Sequence, residues 1–327
     1  MRTWGSIALL VTLLAQLAAC GGAPPKPLPA PLERALQFEQ DGARRYARGE
    51  FPAAGARFAE AARLFTAIDD PDAALRNALH QARAELADGQ AEEALGLLDR
   101  VQPVAAGLPA RSSEVLPLRA QAQLALGQIT AARATLTTAF AACAACPQQA
   151  GLHLLAARLA LGESHAEEAL THAQTAAGLL TTDQQPTEMA NAWRLQAEAR
   201  LALGETTAAL TAAEAALDLD RPLARPEKIA RDWLLIGDAQ KVGADEATAL
   251  QGRRAKNALI KPLRSRTVEQ STLSSPLRIL AVADGKTASA LAAAAYRRAL
   301  EVARAAGLDP LAEQARQRLI AIGISAP

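Results

Sequence analysis

The chain has 327 residues, of which 50% are hydrophobic, 21% are charged and only 3% are aromatic. A composition this apolar excludes a disordered chain, and the abundance of the helix formers Ala and Leu argues against an all-β fold. The 35 Lys and Arg residues nearly balance the 34 Asp and Glu residues. General nucleic-acid binding needs a strong basic excess, so we expect no nucleic-acid partner.

Residues 1–19 have the pattern of an export signal. Arg2 provides a positive start, and residues 7–19 are almost wholly apolar. A helix of this length reaches about 20 Å, which is short of the roughly 30 Å hydrocarbon core of a bilayer. We therefore predict a signal peptide over 1–19 rather than a membrane span.

The apolar stretch ends in Leu17-Ala18-Ala19-Cys20 and is followed by two glycines. This ending resembles the lipobox of bacterial lipoproteins. The resemblance implies cleavage before Cys20, lipidation of Cys20 and, because Gly21 stands where an inner-membrane Asp would, anchoring at the outer membrane with the body in the periplasm. An ordinary signal peptide with a chance cysteine is the alternative.

Residues 20–32 are predicted to form the lipidated cysteine and a tether. Five of the residues in 21–31 are prolines. Such a segment cannot form a helix and favours an extended, semi-rigid spacer that holds the folded body away from the bilayer.

From about residue 33, apolar residues recur at helical spacing and are interrupted regularly by Gly and Pro. In the first unit, Gly49 allows a turn between two helices, Ala54 allows them to approach closely, and Phe58 fills the space between units. This pattern resembles the tetratricopeptide repeat (TPR), a helix-turn-helix unit of about 34 residues. It recurs with turn glycines at Gly49, Gly89, Gly127, Gly162, Gly204 and Gly243.

We therefore predict an all-α fold, an α-solenoid of TPR-like helix-turn-helix repeats, over residues 33–250. The second helix of the fourth unit starts two residues late, so its turn is expected to be longer. Residues 251–327 are predicted to be a degenerate helical repeat, with a second helix around Tyr296 and a capping helix at about 310–322. An irregular Ala-rich bundle is the alternative. Prolines are expected at the unit boundaries, at Pro71, Pro103, Pro109, Pro147, Pro186, Pro222 and Pro226.

In a superhelix of such units, the first helices line the concave face. Counting back from each turn glycine predicts a partner-binding groove with mixed charges and amides. Its residues are Arg76, His80, Arg83, Gln121, Gln149, His153, Asn191, Arg194, Glu198, Arg231 and Asp238. Solvated polar positions without a ligand are the alternative, and packing would equally explain His80 and His153.

Cys143 and Cys146 form a C-x-x-C motif. An oxidising compartment favours a local disulfide, while two free thiols and a redox or metal role remain open. We expect no metal site, because His165 and His172 are seven residues apart on one helix and lie too far apart to share an ion. No cofactor or small-molecule substrate is expected either, since phosphate-binding and hydrolase motifs are absent from the sequence.

A basic patch without acidic residues occupies 253–266. It comprises Arg253, Arg254, Lys256, Lys261, Arg264 and Arg266. Such a patch could dock an acidic partner or anionic lipid headgroups, although a solvated charged face is the commoner role of such runs.

These features predict a non-enzymatic, outer-membrane-anchored scaffold that binds a protein or peptide partner in the cell envelope, in barrel, pilus or peptidoglycan assembly. Two alternatives remain open. One is an enzyme or enzyme regulator acting on peptidoglycan, with its chemistry in the C-terminal region. The other is a purely structural spacer.

Overall fold

The computed structural model describes residues 28–143, 146–260 and 285–325. These residues form thirteen helices and no strand. The helices are α1 (Ala30–Ala47), α2 (Phe51–Ala67), α3 (Pro71–Ala87), α4 (Ala91–Ala106), α5 (Pro109–Ala125), α6 (Ile129–Ala142), α7 (Gln149–Gly162), α8 (Ala166–Leu179), α9 (Pro186–Ala202), α10 (Thr206–Asp220), α11 (Pro226–Ile260), α12 (Gly285–Ala305) and α13 (Asp309–Ala321). The prediction of an all-α fold built from helical repeats is confirmed.

The chain divides into two compact units, Met1–Gln81 and Ala82–Pro327, with the division inside α3. In the first unit, α1 and α2 pack as a hairpin. A Cβ atom added at Gly42 would lie only 2.8 Å from the ring of Phe58, so the absence of a side chain lets α2 approach closely. Ala35, Ala61 and Phe65 belong to the buried core of this unit.

In the second unit, consecutive helices pack in pairs: α5 with α6, α7 with α8, α9 with α10, and α11 with α12. We call the first member of each pair an A helix and the second a B helix. Each of the A helices α5, α7 and α9 also contacts the next A helix along the chain. The A helices therefore lie side by side and build a common face.

Four predicted turn glycines are confirmed by their left-handed backbone. Gly49, Gly89, Gly127 and Gly204 have φ between +68° and +83°, which glycine adopts without steric cost. The predicted turn at Gly162 is wrong, because this residue ends α7 and Ser164 takes the left-handed position with φ +62°. The expectation of a longer turn is also wrong, because three residues separate Gly162 from Ala166, as many as separate Ala47 from Phe51, and the whole turn lies two residues later than counting from Gly162 implies.

The predicted turn at Gly243 is also wrong, because α11 continues through it, and through the expected boundary at 250, to Ile260. The B helix that pairs with α11 is α12. Gly237 allows this pairing, since a Cβ atom there would overlap the ring of Tyr296. The last repeat is therefore split in sequence, and α13 packs on its B helix.

Prolines begin several helices, as expected. Pro71, Pro109, Pro186 and Pro226 are the first residues of α3, α5, α9 and α11. Pro103 does not mark a boundary, because α4 continues for the rest of a turn beyond it. The missing N–H of a proline is tolerated near a helix start, where that group has no partner within the helix.

Candidate functional site

A cleft of about 420 Å³ opens along α5, α7 and α9 in the second unit. Its apolar lining includes Pro117, Leu118, Leu154 and Leu155. Charged and amide side chains also line the cleft, namely Arg83, Glu114, Gln121, Gln148, Arg158, Gln185, Glu188 and Asn191. The predicted groove residues Arg83, Gln121 and Asn191 thus lie together in the cleft.

An ion pair occupies one end of the cleft. Arg83 donates to Glu114 with an N–O distance of 2.7 Å, and Arg111 donates to the same carboxylate at 3.1 Å. Burial disfavours the charged carboxylate, but the hydrogen bonds from Arg83 and Arg111 outweigh it and lower the pKa of Glu114. The charge of Arg83 is therefore largely satisfied within the protein.

Arg158 on α7 differs from Arg83. Its side chain is exposed at the cleft, and its guanidinium makes no hydrogen bond or ion pair with any described residue. Neighbouring protein atoms still exclude part of its water, and this desolvation lowers its pKa. Arginine remains protonated under ordinary conditions, so the cleft carries a cation to which no residue in the described part of the chain is bonded.

Further charges from α9 and α11 act on Arg158. Glu198 and Glu227 attract it, and Arg194 and Arg231 repel it. Burial raises the pKa of Glu198, which has no hydrogen bond to a described residue. Arg231 donates to Glu227 at 3.0 Å.

Lys228 lies on the same helix as Glu227 and Arg231. Its ammonium nitrogen is 3.8 Å from a Glu227 carboxylate oxygen. Burial lowers the pKa of Lys228 to about 8, and nearby Arg194 and Arg158 act in the same direction. Burial therefore disfavours charge of either sign in this region, since it also raises the pKa of Glu198.

Arg194 was predicted to lie in the groove, but its charge is satisfied inside the protein. Only 7% of its side chain is exposed, and it is ion-paired with the fully buried Asp220 and Asp232. Its Nε lies 2.7 Å from Asp232, and it also donates to Asn191 at 2.8 Å. Arg194 therefore fastens α9 to the end of α10 and to α11.

Asp238 also has a structural role. Its carboxylate accepts hydrogen bonds from the Tyr296 hydroxyl at 2.8 Å and from the Arg318 Nε at 2.9 Å. These bonds link α11 to α12 and α13.

In the first unit, two predicted groove residues have partners inside that unit. Arg76 makes a two-pronged ion pair with Glu39, with N–O distances of 2.9 and 2.8 Å. The ring of His80 packs against Phe58 with centroids 5.1 Å apart. Packing accounts for this position of His80.

Two residues predicted in the fourth unit do not line the cleft. The Gln149 backbone donates to the Cys146 carbonyl at the start of α7. The ring of His153 contacts His172 of α8 and Phe140 of α6. Gln149 and His153 were selected by counting back from Gly162, whereas the left-handed turn residue of this unit is Ser164. Six residues before Gly89, Gly127 and Ser164 stand Arg83, Gln121 and Arg158, all of which line the cleft.

The structure joins Cys143 and Cys146 in a disulfide beside the cleft residues Pro147 and Gln148. The lipidation residue Cys20 and the basic residues Lys261, Arg264 and Arg266 lie outside the described residues. Arg253, Arg254 and Lys256 lie in the last turns of α11, and their side chains are likewise outside the description.

Over 28–143, 146–260 and 285–325, no cluster of three or more His, Cys, Asp or Glu side chains is placed to hold a metal ion. The helices in these same ranges include none that is both long and apolar enough to cross a membrane.

No protein-family model matches the chain, and no curated protein does so. Among solved structures, BtubC (BKLC) from P. vanneervenii aligns at 14% identity over 76% of this chain and 100% of that one, with a TM-score of 0.46. The TPR2AB domain of yeast Sti1, in a complex with pHSP90, aligns at 14% identity over 86% of this chain and 98% of that one, with a TM-score of 0.28. Because these likenesses are distant, the fold assignment rests on the helix pairs described above.

Proposed function

We propose that this protein is a non-enzymatic scaffold that binds an extended segment of a protein partner in the A-helix cleft. The observation that carries the proposal is the guanidinium of Arg158, which no described residue pairs with, beside an apolar lining and several amides. An extended peptide offers all three matching groups, namely side-chain charge, apolar side chains and backbone hydrogen-bonding groups.

The amides favour a peptide backbone as the ligand. Gln121, Gln148 and Asn191 each carry both a donor and an acceptor. The Gln148 side-chain oxygen is buried and has no hydrogen-bond partner among the described residues. A partner N–H would satisfy this oxygen, whose isolation costs about 1–3 kcal/mol.

The charges favour an acidic side chain in the bound segment. Arg158 has no bonded counterion within 28–143, 146–260 and 285–325, and Lys228 and Arg231 share Glu227. A carboxylate placed near Arg158 would gain a charge-assisted hydrogen bond in a partly desolvated cleft. An apolar side chain beside it would contact Leu154 and Leu155.

Crosslinking on intact envelopes tests this proposal. Full-length wild type should capture a protein that Arg158→Glu captures at least tenfold less, because the substitution places a carboxylate against a carboxylate. Arg297→Glu is the matched control, since Arg297 is an exposed arginine on the B helix α12 and is not part of the cleft lining. Equal capture by all three proteins would refute the cleft as the binding site.

Absence of any captured partner would favour a structural spacer, and cell-wall hydrolysis by the purified protein would favour an enzyme.

The lipoprotein resemblance of residues 17–20 supports a second part of the proposal, in which a lipid on Cys20 anchors the scaffold in the outer membrane. Anchoring would confine the cleft to a thin periplasmic layer and raise its effective concentration for envelope partners. Metabolic labelling with palmitate should mark the wild type and not Cys20→Ser. Labelling of both proteins, or of neither, would contradict the anchor without affecting the cleft.

A further inference from the structure

Two half-buried histidines face each other on the side of α7 that packs against the B helices. The Nδ1 atoms of His153 on α7 and His172 on α8 are 2.9 Å apart. The Phe140 ring of α6 packs against both imidazoles, with centroid distances of 5.0 and 6.2 Å. The contact thus joins three consecutive helices in one aromatic cluster.

The chemistry of this contact depends on protonation. At neutral pH, one Nδ1 carries a hydrogen and donates it to the lone pair of the other. A first proton can bind at the Nε2 of the donor ring and leave that hydrogen bond intact. A second proton must occupy the accepting Nδ1, which places two N–H groups and two positive charges against each other. Binding of the second proton is therefore incompatible with the observed distance.

The surroundings also disfavour protonation. Burial is the main cause that lowers the pKa of both His153 and His172. Among the described residues, the other charged groups that act on the pair are Glu168 of α8 and Arg133 of α6, and both act on His172. These two groups lie 3.6 Å apart as an ion pair, and their effects on the pKa of His172 are opposite, since Glu168 raises it and Arg133 lowers it.

We infer that the His153–His172 contact is a pH-sensitive joint that holds α7 against α8 at neutral pH and opens when both rings are protonated. Unfolding separates the two rings, so both can then bind a proton, and histidines in an unfolded chain titrate near pH 6.5. Below that pH the unfolded state binds more protons than the native state, and the native state is therefore destabilised as the pH falls.

The joint also bears on partner binding, and this consequence rests on the proposed function. Helix α7 presents Leu154, Leu155 and Arg158 to the cleft. Opening the contact on the opposite side of α7 would loosen the helix that carries these residues. Partner affinity should then fall in a mildly acidic periplasm.

Urea unfolding of the full-length chain at pH 7.5, 6.5, 5.5 and 5.0 tests the joint without any partner. The double variant His153→Asn/His172→Asn keeps hydrogen-bonding groups near the Nδ1 positions but does not titrate in this range. Each excess proton bound by the unfolded state changes the unfolding equilibrium constant about tenfold per pH unit. Between pH 6.5 and 5.0, this constant should therefore rise at least tenfold more for the wild type than for the double variant. His165→Gln, which removes an exposed histidine at the start of α8, should behave like the wild type.

An NMR titration of the wild-type histidine rings keeps the test independent of how the variants fold. We expect the two rings to titrate in separate steps, with one ring protonated at a clearly lower pH than the other and with the backbone signals of α7 and α8 shifting in that second step, as the contact opens. Independent titration of both rings near pH 6.5, or identical pH dependence in the wild type and the double variant, would overturn the joint. Loss of partner capture at every pH would refute the proposed function and leave this result unaffected.

Discussion

Arg158 and Arg194 lie on the neighbouring A helices α7 and α9, yet they have opposite environments. Arg194 is buried and paired with Asp220 and Asp232. Arg158 is exposed at the cleft and has no ion-pair partner among the described residues. Position on an A helix therefore does not by itself make a residue part of the binding surface. The acidic residues supplied by adjacent elements decide whether a charge stabilises the fold or remains open to a partner.

The largest effect is expected from removing the buried arginine. Arg194→Ala would leave Asp220 and Asp232 buried without their main counterion, and breaking such a pair costs about 3–5 kcal/mol. Urea unfolding of the two proteins at pH 7 measures this loss. A change below about 1 kcal/mol would mean that the cluster does not hold α9, α10 and α11 together.

Two glycines of α11 allow a second contrast, between a position packed against another helix and a position with free space around it. Gly237→Ala would force Tyr296 to move, and overpacking of this kind costs about 1–3 kcal/mol. Gly243→Ala meets no neighbouring atom, so improved helix propensity should stabilise the protein by up to about 1 kcal/mol. Thermal unfolding of both variants checks the signs. Two changes of equal sign and size would contradict the split repeat, in which Gly237 is the close contact between α11 and α12.

The ionisation of Asp232 gives the buried cluster a pH dependence. Burial raises the pKa of Asp232 to about 7, against the opposing charge of Arg194. Between about pH 4 and pH 7 the native state therefore keeps a proton on Asp232 that the unfolded chain releases. The free energy of unfolding falls as the pH rises through this range and levels off above about pH 7. Asp232→Asn removes the titration. Its stability relative to the wild type should rise between pH 5 and pH 8, by at most about 1.4 kcal/mol per pH unit. A constant difference in urea midpoints would contradict the raised pKa.

The smallest effect on stability is expected at the open arginine. Arg158→Ala removes no hydrogen bond or ion pair to a described residue, and surface substitutions of this kind usually change stability by less than about 0.5 kcal/mol. The same urea experiment as for Arg194→Ala provides the measurement. A loss of several kcal/mol would show that Arg158 is a structural residue like Arg194, and the contrast between the two would then disappear.

The sequence predicted the helix pairs well, because Gly and Ala recur at the spacing that close helix packing requires. It failed where the turn did not use glycine, and also at Gly243, where a glycine lies inside a helix. Ser164 adopts the left-handed conformation in the fourth unit, so counting from Gly162 selected Gln149 and His153 instead of Arg158. Counting from Ser164 would have found Arg158, but a serine carries no clear signal for this conformation.

The charge pairings were less predictable for a different reason. Arg194 meets Asp220 and Asp232 only after α9, α10 and α11 have packed, at sequence separations of 26 and 38 residues. Asp238 likewise meets Tyr296 and Arg318 across the split in the last repeat. Helical periodicity identifies the face on which a residue lies, but it does not identify its partner on another helix.

The most direct test of the cleft is the affinity of the purified full-length protein for the partner captured from envelopes, measured by titration calorimetry beside a stability curve. We predict that Arg158→Glu weakens binding at least tenfold while the protein remains folded in the absence of urea, with a urea midpoint lowered only by the repulsion from Glu198 and Glu227, and that Arg297→Glu changes neither quantity. Unchanged affinity of folded Arg158→Glu would contradict the claim that the A-helix cleft receives the partner.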